Sequence, residues 1–186
     1  MMIPTRGNSA VLFLDLQQEI VGASRTVSLE RLRRTTGVLA KLAKLHGLPA
    51  LLSAVPPGGD YFAEVTGALG GAVPRMRTQT TAFADAGLVA DLQASGRKVL
   101  ILSGVASEIV VQRTALDALG AGYQVMAVVD ACGGIDARTE DAAWRRIVAS
   151  GGVTTSCVTV CAELAGDFTT ELGGATLQLM YEALGT

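Results

Sequence analysis

Asp15 follows five apolar residues, Ala10-Val11-Leu12-Phe13-Leu14, and its carboxyl therefore stands at the end of a buried strand. A carboxyl at that low-dielectric rim is driven toward its neutral form unless a cation stands opposite, which is how a proton-transferring group near neutral pH is made. Taken alone, a strand-end aspartate more often caps a neighbouring loop. A second segment, Gly104-Val105-Ala106-Ser107-Glu108-Ile109-Val110-Val111, reads as a tight strand-to-helix turn. Such a turn points the free N–H groups of a helix N-terminus into the strand-end crevice, where they could hold an oxyanion or a carboxylate. It lacks the G-x-S-x-G spacing of serine hydrolases, so Ser107 is a weak nucleophile, and an ordinary connection explains the turn equally well.

The cysteines add little. Cys132 lies just beyond Asp130 on the same strand-end edge, but a buried structural thiol is the commoner case. Cys157 and Cys161, four apart on an expected helix, read as packed. The one histidine, His46, falls near a helix end, and no metal site is expected.

The elements that position these residues alternate. Strands are expected at Ala10–Leu14, Ala50–Ala54, Val99–Leu102, Tyr123–Val129 and Val153–Thr155. Helices are expected from Ser28, as N-cap, to about His46, with Leu29, Leu32, Leu39 and Leu42 on one side and Gly47 as the stop. Further helices fit Phe62–Leu69, Asp85–Ala94, Glu108–Leu119, Thr139–Ala149 and Val158–Ala165, with an amphipathic one at the C-terminus; Gly70–Phe83 is the least regular stretch. Strand, helix, strand at these lengths predicts right-handed parallel crossovers and an α/β fold, a three-layer α/β/α sandwich with a mainly parallel, Rossmann-like central sheet. The absence of a repeat or linker predicts a single domain over residues 1–186. In that class reactive groups gather at the carboxyl ends of the strands. Four stretches meet the condition: Asp15 with Gln17, Arg75 to Thr81, Ser103 to Glu108, and Asp130 to Gly134.

Composition excludes several alternatives. With 49% hydrophobic residues, 17% charged and 22 glycines in 186 residues, the chain is too apolar for disorder. No apolar run approaches the roughly 18–20 residues of a spanning helix. A net charge of −2 gives no nucleic-acid footprint, the basic residues being scattered apart from Arg31, Arg33 and Arg34. Three cysteines without zinc spacing argue against a disulfide scaffold, and with no signal-peptide pattern a cytoplasmic location is expected. Trp144, beside Arg145 and Arg146, reads either as an oligomer contact or as a partly buried core residue.

Val11-Leu12-Phe13-Leu14-Asp15-Leu16-Gln17, Thr81-Ala82-Phe83, Gly104 through Ile109, and Gly122-Tyr123 through Asp130-Ala131 together resemble the isochorismatase-like hydrolase superfamily. Ala142 through Arg146 and Ala162-Glu163-Leu164 to Asp167-Phe168 are similar to its YcaC-like branch of cysteine hydrolases. The resemblance implies an Asp-Lys-Cys triad, with Asp15 as the aspartate. The cysteine position, three residues after the Ser/Thr of the turn, holds Val110, which has no lone pair to attack with. The lysine position falls near Arg77, with Arg75 as the other choice; arginine preserves the positive charge beside Asp15 but is a poor proton carrier. The resemblance also implies a non-proline cis peptide at Val105–Ala106 or Ala106–Ser107, an oxyanion hole at the N–H groups of Ala106 and Val110, and Gln17, Phe83 and Glu108 lining or bracing the pocket.

Two functions fit. One is a hydrolase-like enzyme without cysteine or cofactor that acts on a small amide, ester or vinyl ether, with Asp15 as acid or base and an arginine orienting an anionic group. The other is a pseudoenzyme that binds a small ligand or serves as a scaffold. A homo-oligomer is expected in either case, with no nucleic-acid or membrane partner.

Overall fold

The computed structural model describes residues 3–186. The described residues form six strands: β1 (Ser9–Leu14), β2 (Ala50–Ala54), β3 (Arg75–Met76), β4 (Val99–Val105), β5 (Gln124–Gly133) and β6 (Val153–Thr155). All pair in parallel, in the order β3-β2-β1-β4-β5-β6. The helices are α1 (Gln18–Val21), α2 (Leu29–His46), α3 (Ala63–Ala68), α4 (Ala86–Ala94), α5 (Gln112–Gly120), α6 (Ala137–Ala149), α7 (Cys157–Ala165) and α8 (Glu171–Leu184). No helix among them is long and apolar enough to cross a membrane.

The strand alternation explains the three layers. Val11 and Phe13 of β1 and Ile101 of β4 join residues of α2, α3, α7 and α8 in one core. Ala10, Leu12 and Leu14, with Leu100 and Leu102, face the other way against α4, α5 and α6. Every residue of β1 and β4 is buried, as a central parallel strand requires, and each large side chain sealed there contributes about 1.5–3 kcal/mol.

Ser28 caps α2 by accepting from the Arg31 N–H, and Gly47 ends it with φ 64°. Leu32, Leu39 and Leu42 are buried as expected; Leu29, in the first turn, is instead 47% exposed. Strands β4 and β5 outrun their apolar cores because small residues continue the ladder. There the Ser103 hydroxyl donates to the Ala131 carbonyl at 2.7 Å, next to a register shift between Leu102 and Gly104. The segment expected to be irregular contains β3, whose two exposed residues, Arg75 and Met76, are too few to show a strand period. The helix after β4 begins as a π-turn, Ser107–Val111, a form frequent at functional sites. Trp144 is half-buried against the second core, with part of its side chain left at the surface of the chain.

His46, at the end of α2, is 1% exposed and pins α8. The Thr176 hydroxyl donates to the Leu172 carbonyl at 2.7 Å, so it accepts from His46 Nε2 at 2.8 Å, leaving Nδ1 enclosed without a partner. Burial first, then the nearby Arg6 guanidinium, lowers the His46 pKa below 6.5. The unfolded chain therefore takes up the proton before the folded one. Stability is complete above the unfolded value and falls as pH drops from about 6.5 toward the depressed folded value. Urea unfolding at pH 7.5 and 5.5 is expected to show a larger loss for the wild type than for His46→Gln. Equal losses would show that His46 does not couple to folding.

Candidate functional site

The strand order reverses between β1 and β4, and the candidate site sits at the carboxyl ends of these two strands, where open α/β sheets bind ligands. The approach is close: a Cβ on Gly104 would collide with the Leu14 carbonyl oxygen and lie 2.6 Å from Leu14 Cβ. Asp15 leaves β1 with φ 54°, the one positive φ on a non-glycine among the described residues, in a conformation that aspartate tolerates better than most. Its N–H donates to the Ser53 carbonyl at 2.9 Å, so the turn is held by the end of β2.

Opposite stands Arg77, immediately after β3, its own N–H donating to the Ala54 carbonyl at 2.9 Å. Nη1 donates to Asp15 Oδ1 at 2.6 Å and Nη2 to Oδ2 at 2.8 Å, while Nη1 also reaches the Ser53 hydroxyl at 3.2 Å. The two side chains are 7% and 2% exposed, a buried bidentate pair. Above it opens a cavity of about 370 Å³. Its walls are mainly apolar, with Val55, Val105, Ala106, Ile109, Val110 and Ile135 among them, and Thr78, Gln79 and Thr80 supply polar groups. The cis peptide is Val105–Ala106, the first of the two expected positions.

The structure thus gathers Asp15, Arg77, Val105, Ala106 and Val110 around one space, but other expected site residues are placed elsewhere. Arg75 is not the partner of Asp15: it is spent on Asp91 of α4 at 2.5 Å, at the surface. Phe83 does not line the cavity; it sits edge-on to Tyr123 with ring centroids 5.8 Å apart, partly buried against the second core. Gln17 braces rather than binds, because both ends of its amide are used on Val55, donating to the carbonyl at 2.8 Å and accepting from the N–H at 2.9 Å. Glu108 likewise braces. Its carboxylate accepts from the Ile135 N–H at 2.9 Å and the Thr139 hydroxyl at 2.7 Å. Burial opposes ionisation of Glu108, yet these hydrogen bonds prevail and lower its pKa. The Ser107 hydroxyl is buried and donates to Glu140 at 2.7 Å, which removes it from attack chemistry. Asp130 lies within β5 and caps α7 through the Cys157 N–H at 2.8 Å, away from the cavity.

Glu19, Ile20, Ala23, Val55 and Ile135 also line the cavity and carried no motif. Val55, one residue past β2, was accessible to the strand-end rule; Glu19 was signalled only by falling on the first turn after Asp15.

Cys132, Cys157 and Cys161 are all fully buried, and no described cysteine lines the cavity. The Cys132 thiol points to the Leu102 carbonyl at 3.8 Å, and burial pushes its pKa well up. Val110→Cys would place a thiol in the cavity wall. A single alkylation per native chain by iodoacetamide is expected for the variant, with the wild type unreactive on the same time scale; intact-mass spectrometry reads this directly. Equal labelling of both proteins would contradict the assignment of the native thiols as sealed.

A parallel sheet in 3-2-1-4-5-6 order with an acidic residue at its switch point defines the class as a Rossmann-like α/β protein with a strand-end cavity. Within that class, the Isochorismatase domain family matches residues 9–158, and the chain belongs to that family. It is 28% identical over 185 residues to the Escherichia coli (strain K12) protein named Probable hydrolase YcaC, covering 92% of this chain and 85% of that one. The structure of YcaC from Pseudomonas aeruginosa, solved with hexane-2,5-diol and covalent acrylamide, superposes with a TM-score of 0.89 at 28% identity, covering 98% and 93% of the two chains. The Escherichia coli YcaC structure, an octameric hydrolase of unknown specificity, gives 0.91 at 26% identity over 98% and 91%. These relatives place the chain in the YcaC-like branch.

Proposed function

We propose that this chain is an isochorismatase-family hydrolase of a small amide or ester that works without a cysteine nucleophile, with Asp15 as the acid/base. The reading rests on the buried Asp15–Arg77 pair at one end of an apolar cavity at the switch point. Both oxygens of Asp15 accept from guanidinium N–H groups, the arrangement of an ionised carboxylate, and two of its roughly four lone-pair sites remain for a water. Asp15 takes a proton from that water as its oxygen bonds to the substrate carbonyl carbon. The carbonyl oxygen becomes an oxyanion facing the Ala106–Val110 turn, and its collapse breaks the bond to the amine or alcohol, which receives the proton from Asp15. Arg77 holds the carboxylate in place and is not itself a proton carrier. Vinyl-ether cleavage would instead begin from a protonated Asp15 and an anion-binding arginine, and the geometry favours neither.

The alternative is a ligand-binding pseudoenzyme, favoured by the apolar Val110 side chain in the cavity wall, at the position that the resemblance aligns with the family's thiol. A homo-oligomer is part of either reading, in line with the octameric Escherichia coli relative. The deciding experiment is a panel of small amides, esters and vinyl ethers assayed with wild type and Asp15→Asn. Turnover by wild type that Asp15→Asn loses supports the hydrolase; equal turnover by both removes Asp15 from the mechanism, and silence from wild type across the panel supports the pseudoenzyme.

A further inference from the structure

Charge sets which small molecules the cavity admits. Two carboxylates, Asp15 and Glu19, and one guanidinium, Arg77, line it. The charge of that guanidinium is already matched by the Asp15 carboxylate it grips through Nη1 and Nη2, and its Nε is enclosed with no partner. Arg75, the next nearest cation in sequence, is spent on Asp91 outside the cavity. The uncompensated charge is that of Glu19, exposed at the mouth on α1. Its side chain lies over Gly59, where an added Cβ would meet Glu19 Cδ at 3.3 Å and where φ of 73° favours glycine. The apolar walls add a second penalty, because a charged ligand would exchange water for Val55, Ile109, Val110 and Ile135 with no counter-ion in return.

We infer that the site selects uncharged small molecules and rejects anions, with Glu19 as the residue that sets this selectivity. The inference rests on the cavity being the substrate site, as proposed above, but is read by binding and not by turnover.

The test uses an isosteric pair, pentanamide and pentanoate, titrated into the full-length protein at pH 7.5 and followed by saturation-transfer NMR. Pentanamide is expected to bind, and pentanoate more weakly by on the order of tenfold, the scale of one unit charge at partly screened range. Glu19→Gln is expected to narrow that ratio and Glu19→Lys to narrow it further; Glu19 is exposed, so both variants should fold. Added salt should narrow the wild-type ratio in the same sense. Pentanoate binding as tightly as pentanamide, binding of neither, or a ratio indifferent to both Glu19 substitutions would each overturn the inference. Selective pentanamide binding by a protein that hydrolyses nothing would keep it and remove the hydrolase reading.

Discussion

Arg77→Met is expected to lower the unfolding free energy by about 3–5 kcal/mol, because it strands the Asp15 carboxylate where its side chain is 7% exposed. The loss comes mainly from the orphaned partner, since an uncompensated charge in a low-dielectric site cannot recover its hydration. The double variant Asp15→Asn/Arg77→Met leaves no charge behind and should regain most of what the single change loses, so the effects should be strongly non-additive. Arg75 supplies the contrast. Its pair with Asp91 has side chains 43% and 53% exposed, so solvent screens it and Arg75→Met should cost far less than Arg77→Met. Urea unfolding of the wild type, Asp15→Asn, Arg77→Met, the double variant and Arg75→Met decides the matter. If Arg77→Met behaves like Arg75→Met, the Asp15–Arg77 pair is not the buried, mutually dependent unit that the site requires.

That contrast also shows what the sequence could and could not specify. The layers were legible because burial on both faces leaves continuous apolar runs, as in Ala10–Leu14 and Val99–Leu102, and because Ser28 and Gly47 carry the chemistry of a helix start and stop. Asp15 was legible as the polar residue that ends such a run. The choice between Arg75 and Arg77 was not, since it depends on β3, a two-residue strand whose pairing with Ser53 and Ala54 leaves no periodic signal. Gln17, Phe83 and Glu108 were associated with the pocket, as lining or bracing it, by the family resemblance, and each side chain finds a partner in the supporting structure: the Val55 backbone, the Tyr123 ring and the start of α6. A polar residue at a strand end can support a cavity as readily as line it. Which it does is settled by contacts between residues far apart in sequence, such as the 38 positions between Gln17 and Val55.

On the amide or ester that the wild type turns over, Asp15→Asn is expected to lower kcat by about 10²–10⁴-fold, the usual range for a positioned general base, with a smaller change in KM. Asparagine is the informative replacement. It tolerates the left-handed backbone at φ 54° nearly as well as aspartate, and its carbonyl oxygen still accepts one guanidinium hydrogen bond. Alanine or glutamate would confound the result, since neither suits that backbone conformation and the longer carboxylate would also displace Arg77. Asp15→Asn still leaves Arg77 without its counter-charge, so kcat must be compared at a temperature where circular dichroism shows the variant folded. A purely structural aspartate would make the loss of activity follow the loss of fold, and folded Asp15→Asn would turn over at close to the wild-type rate. A general base makes the two separate: the folded variant binds pentanamide as the wild type does, yet cannot take the proton from water.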